Sequence, residues 1–151
     1  MSQATRILAG LGAGLALGVF LAGQSPDTAL SGIAIAEPVG RTRPTRPFAS
    51  VASWPGSGAR NQFHVRLSRP RASAAKVTLS IGERRFELLA GAADAWSPDP
   101  ATDRAIVAAM RGGRSMSVET AAANGAPFAD VYALQGAATA IDAAAVACAR
   151  R

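Results

Sequence analysis

Apolar and polar residues alternate regularly in residues 61–68. Phe63, Val65 and Leu67 occupy every second position, and polar side chains fill most of the positions between them. Successive side chains of a β-strand point to opposite faces, so this period of two predicts a strand with one buried and one solvent-facing side. The segment therefore indicates a sheet with one face on the core and the other exposed to solvent.

Several other segments combine strand-forming residues with turn signals at their ends. Gly82-Glu83 and Asn124-Gly125 are short turns of the kind that close β-hairpins, and Pro55-Gly56-Ser57-Gly58 marks a further turn. The strands predicted around these turns span residues 47–54, 61–68, 76–81, 84–89, 114–122 and 128–134.

One helix is predicted over about residues 99–111. Asp99 and Pro100 suit its N-cap and first position, and Gly112-Gly113 follow its end. Its apolar stripe consists of Ile106, Val107 and Met110.

A second helix is predicted over about residues 136–149, where an Ala-rich segment carries apolar residues at helical spacing. They are Ile141, Ala144, Ala145 and Cys148. The order of strands, helix, hairpin and helix predicts an α+β domain with a mostly antiparallel, sandwich-like sheet and two helices.

The N-terminus has the pattern of a bacterial secretory signal. Arg6 precedes an apolar run over residues 7–22, and polar residues follow. We expect residues 1–23 to be a signal peptide or, as an alternative favoured by the small-residue stripe Gly10-Gly14-Gly18, a membrane-anchoring helix. Residues 24–40 would then be a linker with a first strand, and residues 41–151 a single domain.

Positive charge is concentrated in one stretch. The chain carries a formal net charge of +6, and residues 40–71 contain seven arginines and no acid. Guanidinium groups suit phosphate and carboxylate ligands, so this stretch predicts contacts with anionic envelope material or a membrane surface. A solvated basic face without a ligand is the alternative. The candidate contact residues are Arg41, Arg43, Arg46, Arg66, Arg69 and Arg71.

The sequence offers no catalytic, metal-binding or cofactor-binding motif. One histidine, His64, and one cysteine, Cys148, cannot form a zinc site, and no G-x-S-x-G motif accompanies them. We expect His64 to face water without a catalytic role. Asp94, Asp99 and Asp103 lack the spacing of a calcium loop.

Three further expectations concern single residue types. Trp96 precedes a helix and is expected to pack in the core, with ligand stacking by Trp54 and Trp96 as the alternative. Cys148 is expected to be buried in the last helix, with a reactive thiol as the alternative. Only 5% of residues are aromatic, so stacking on nucleic-acid bases is not expected.

A set of short segments, taken in order, resembles the invasion-associated locus B family of alphaproteobacterial exported proteins. The segments are residues 77–86, Asp94-Ala95-Trp96, residues 105–110, Met116-Ser117-Val118, residues 131–136 and Cys148, with weaker similarity at residues 33–38 and 59–61. The resemblance implies an exported protein, periplasmic or membrane-associated in a Gram-negative bacterium, with a link to host-cell invasion in some pathogenic relatives.

In that family a cysteine usually stands at the start of the first strand. Here the position is occupied by Gly32 or its neighbour, so the disulfide that the resemblance implies with Cys148 cannot form. A bridge of that loop length stabilises a fold by about 3–5 kcal/mol.

These observations predict a non-enzymatic, exported envelope protein with a binding role. Two alternatives stay open: a membrane-anchored partner protein that keeps residues 7–22, and an envelope hydrolase. The hydrolase would need a concave pocket that gathers His64 with an acid or a serine.

Overall fold

The protein, here a computed structural model, is described for residues 18–20, 33–36, 47–54 and 58–149. The strands are β1 (Gly18–Phe20), β2 (Ile33–Ala36), β3 (Phe48–Trp54), β4 (Ala59–Arg66), β5 (Val77–Ile81), β6 (Arg84–Ala90), β7 (Asp94–Trp96), β8 (Ser115–Ala121) and β9 (Pro127–Ala133). The helices are α1 (Pro100–Gly112) and α2 (Ala137–Ala149).

The strands of the described residues form a single curled sheet in the order β1-β2-β3-β4-β7-β6-β5-β8-β9. All neighbouring strands are antiparallel, and two helices accompany the sheet, which confirms the predicted α+β class. Both predicted hairpins are present. Gly82 and Gly125, at φ 58° and 81°, supply the left-handed backbone conformation that their turns require.

The core lies between the sheet and the two helices. Phe63, Val65 and Leu67 are completely buried, which confirms the alternation seen in the sequence. Ile106, Val107 and Met110 of α1 and Ile141 of α2 belong to the same core cluster. The opposite face of the sheet, here called the outer face, therefore carries the polar half of each alternating strand.

Helix α1 begins at Pro100 with Asp99 as its N-cap, as predicted, and it extends to Gly112, one residue beyond its predicted end. Hydrogen bonds from the backbone N–H and then the hydroxyl of Thr102, 2.8 and 2.9 Å long, lower the pKa of the Asp99 carboxyl below its ordinary value. Gly113 follows the helix with φ −84°, so no left-handed cap is involved. A Cβ there would lie 2.9 Å from Ile81 Cγ2 and 3.0 Å from Leu134 Cδ1, so close packing on the sheet requires glycine.

Helix α2 differs from the prediction in detail. Ile141 and Ala144 are buried as expected, but Ala145 is exposed and Cys148 is only half-buried. Two of the four residues of the predicted stripe are therefore not fully buried, because alanine fills eight of the thirteen positions of α2 and gives the pattern little contrast. The contact of Arg111 with Asp142, 2.6 Å apart, ties α2 to α1.

The predicted N-terminal helix falls mostly outside the described residues. The three of its residues that are described, Gly18–Phe20, form β1 and pair with β2. β2 in turn pairs with β3. Within the described part of the chain, neither α1 nor α2, each of 13 residues, meets the length and hydropathy of a membrane-spanning helix.

Candidate functional site

A shallow concavity of about 370 Å³ lies on the outer face of β3, β4 and β7. We call it the outer cleft. Among the described residues its lining consists of Phe48, Ser50, Ala52, Trp54, Gln62, His64 and Trp96.

The register of the strands brings these side chains together. Ser50 of β3 is paired with His64 of β4, and His64 is paired with Trp96 of β7. Leu89 of β6 continues the same row beyond Trp96. Residues directly opposite each other in an antiparallel pair share a face, so one row crosses four strands of the outer face.

Both exposed tryptophans of the described chain line the cleft. Trp54 and Trp96 are 39% and 38% exposed, and Leu89, the register partner of Trp96, is 58% exposed. Isolated exposed apolar side chains are ordinary in soluble proteins, but a contiguous patch around a concavity is typical of a binding surface.

The expectation that Trp96 packs in the core is wrong. It lies on β7, a strand of three residues that the sequence did not predict, and the alternation of that strand buries Ala95 instead. Trp54 and Trp96 instead both line the outer cleft.

A β-bulge shapes the end of the cleft near Trp54. The register of β3 and β4 shifts between Ala52 and Trp54. On the other strand Asn61 has φ 56°, a left-handed conformation that asparagine tolerates better than most residues, and its N–H donates to Ser53 Oγ at 3.0 Å. A bulge increases the local twist and redirects side chains, which curves this end of the sheet around the cleft.

His64 has a partner that sequence analysis missed. Its Nε2 lies 3.0 Å from Oδ1 of Asp94, and the two side chains are 24% and 28% exposed. The imidazole also contacts Phe48, with ring centroids 5.5 Å apart at 63°, and Trp96, at 5.4 Å and 31°. His64 does face away from the core, but it is held in a fixed orientation by an acid and two aromatic rings.

The cleft contains part of the arrangement that a hydrolase would need. Asp94 and His64 are in contact, and Ser50 stands next to His64 in register. Within the described residues, however, no hydrogen bond joins the Ser50 hydroxyl to the ring nitrogen of His64 that Asp94 leaves open. The contact that would activate the serine as a nucleophile is therefore not made.

Metal ligation finds no support in the described part of the chain, where no group of three or more His, Cys, Asp or Glu side chains is placed to hold an ion. Asp103, one of the three aspartates considered in the sequence, has a structural role instead. Its Oδ1 accepts hydrogen bonds from the Phe63 N–H at 2.7 Å and from the Ser97 hydroxyl, which fixes α1 against β4 and the end of β7.

The candidate arginines do not share one environment. Arg41, Arg43 and Arg46 lie outside the described residues. Arg69 is exposed and stacks over Phe128, with its guanidinium carbon 5.1 Å from the ring centroid.

Arg71 is occupied by the fold. Its guanidinium donates to five backbone carbonyls at 2.6–2.8 Å, those of Ala72, Ser73, Ala75, Ala90 and Gly91. Most of its donors are therefore engaged before any ligand arrives.

Arg66 alone of the described candidates borders the outer cleft. It is exposed on β4, two positions from His64, and is paired in register with Phe48 on one side and Asp94 on the other.

Comparison of the chain with known protein families, with curated proteins and with solved structures gives no match.

Proposed function

We propose that this protein is an exported, non-enzymatic binding protein of the bacterial envelope, and that its ligand is a saccharide held in the outer cleft. The observation that carries the proposal is the grouping of Trp54, Trp96 and His64 in one concavity on the outer face. The signal-like pattern of residues 1–23 and the resemblance to the invasion-associated locus B family support the envelope location.

The chemistry of the cleft suits a sugar. The C–H face of a sugar ring packs well on an indole, which offers a large flat apolar surface. Sugar hydroxyls need hydrogen-bond partners at the edges of that surface, and Gln62 and the His64–Asp94 pair supply both donors and acceptors. A purely apolar ligand would leave these polar groups without partners.

The tryptophans make the proposal simple to test. The chain has two of them, and both line the cleft, so tryptophan fluorescence excited at 295 nm reports on this site. We expect titration of the full chain with cellotetraose or with tetragalacturonate to change the emission with a saturable dependence. Trp96→Phe should weaken binding, whereas Val131→Ala, at an exposed position of β9, should not.

Two outcomes would count against the proposal. Unchanged emission with every saccharide would exclude the cleft as a sugar site. A saturable change that persists in a variant carrying both Trp96→Ala and His64→Ala would place the ligand elsewhere.

Envelope hydrolysis is a second candidate, favoured by the contact of Asp94 with His64 next to Ser50. It predicts release of reducing ends or of ester-linked groups from an envelope polymer, abolished by Ser50→Ala. Binding without turnover is the result that we expect.

The membrane-anchored form of the proposal differs only at the N-terminus. Determination of the N-terminal residue of the mature protein distinguishes cleavage near residue 23 from retention of residues 7–22.

A further inference from the structure

We propose that the saccharide bound in the outer cleft carries a carboxylate, and that Arg66 receives it. The inference rests on the proposed function and adds the charge of the ligand and the residue that selects it.

The position of Arg66 is the first argument. It lies on the same face of β4 as His64, two residues away, which corresponds to about 7 Å along a strand. Its register partners are Phe48, which lines the cleft, and Asp94, which orients His64. A guanidinium on this long side chain can therefore reach a ligand that rests on the aromatic residues.

The availability of its donors is the second argument. The guanidinium of Arg71 donates to five carbonyls, and that of Arg69 lies over Phe128, which does not line the cleft. Among the contacts of the described residues, none holds the guanidinium of Arg66 in a hydrogen bond or an ion pair. A planar guanidinium with open donors matches the two oxygens of a carboxylate.

The charge around the cleft is the third argument. Strands β3 and β4 both come from the stretch of residues 40–71, which contains no acid. The one acidic group that faces the cleft from β7 is Asp94, and its Oδ1 is directed at His64. The negative charge of Asp94 repels an anionic ligand, so removal of that charge provides a second, independent test of the proposal.

Two substitutions should move the affinity in opposite directions. Arg66→Gln should weaken binding of tetragalacturonate about tenfold, the loss expected for one charge-assisted hydrogen bond. Asp94→Asn keeps an oxygen that can accept from His64 but removes the negative charge, so binding of the same ligand should tighten.

The controls separate charge from shape. Carboxyl-reduced tetragalacturonate has the same ring skeleton without the charge, and its affinity should be unaffected by Arg66→Gln. Arg85→Gln removes an equal charge from an exposed position of β6 and should change neither affinity. Raising the ionic strength should weaken binding of the acidic ligand only.

The failure of this inference is distinct from the failure of the proposed function. If both saccharides bind equally and Arg66→Gln has no effect, the cleft is a sugar site without charge selection, and the assignment of Arg66 is wrong. If neither saccharide alters the tryptophan emission, the proposed function fails first. Saturable binding of an oligothymidylate that exceeds that of tetragalacturonate would overturn the saccharide in favour of single-stranded nucleic acid.

Discussion

Replacement of Arg71 by alanine tests whether this arginine belongs to the fold or to a ligand site. Its guanidinium joins the loop of residues 72–75 to the end of β6, next to the strand that carries Asp94 and Trp96. A hydrogen bond in a folded protein contributes roughly 1 kcal/mol net, and one from a charged donor contributes more. Four of the five bonds are partly buried, and water can replace the exposed one.

From these contacts we expect R71A to lower the free energy of unfolding by about 2–4 kcal/mol. Urea unfolding followed by far-UV circular dichroism measures the change, because the midpoint falls with stability while the slope stays constant. R71K should recover only a part, since an ammonium has three donors and cannot serve carbonyls on two sides.

The matched control is R69A, which removes an exposed arginine and one cation–π contact and should cost about 0.5–1 kcal/mol. If R71A and R69A unfold at the same urea concentration, the five hydrogen bonds do not stabilise the fold. Arg71 would then return to the candidates for ligand contact.

Three further predictions follow from single contacts. D103A should lower the free energy of unfolding by about 2–4 kcal/mol in thermal or urea unfolding, because the buried Phe63 N–H loses its acceptor. D103N keeps an oxygen at this position and should cost less. Equal losses in the two variants would argue against this role of Asp103. N61A should cost about 1 kcal/mol for the left-handed backbone, and N61G should recover it; an unchanged N61A would show that the bulge relaxes. Hydrogen bonds from Thr102 lower the pKa of Asp99, so the ionised cap stabilises the fold at pH values above the ordinary carboxyl pKa. This stabilisation is lost as the pH falls through the lowered pKa. An NMR titration midpoint for Asp99 at or above the ordinary value would contradict this prediction.

The elements with local signals could be predicted from the sequence. The Asp99-Pro100 start of α1 and the two hairpins depend on residues that are adjacent in the chain, and the structure has them where they were predicted. The buried face of β4 could also be predicted, because Phe63 and Val65, which point into the core, are strongly apolar.

The outer cleft could not be predicted in the same way. It depends on the pairing of β4 with β7, which brings together His64 and Asp94, residues 30 positions apart. β7 has only three residues, too few to show a period, so the sequence gives no sign that Trp96 lies on the outer face and not in the core.

The roles of the arginines in residues 40–71 could not be predicted from the sequence either. Closeness in the chain gave Arg66, Arg69 and Arg71 one predicted role, but each lies in a different environment. The direction of a side chain depends on its position in a strand, as for Arg66 on β4. An arginine in a loop, such as Arg71, can donate hydrogen bonds to backbone carbonyls, and the sequence does not show which carbonyls lie near it. Asp130 is comparable: it is fully buried in β9 and accepts from the Ser68 N–H at 2.8 Å, a contact across 62 residues.

NMR titration of the ¹⁵N-labelled protein with tetragalacturonate shows residue by residue whether the ligand binds in the outer cleft. The indole N–H signals of Trp54 and Trp96 and the backbone amides of β3, β4 and β7 should shift progressively and saturate together. The amides of the β8–β9 hairpin and of α2 should stay in place. Shifts confined to that hairpin or to α2, or the absence of any shift, would show that the outer cleft is not the ligand site.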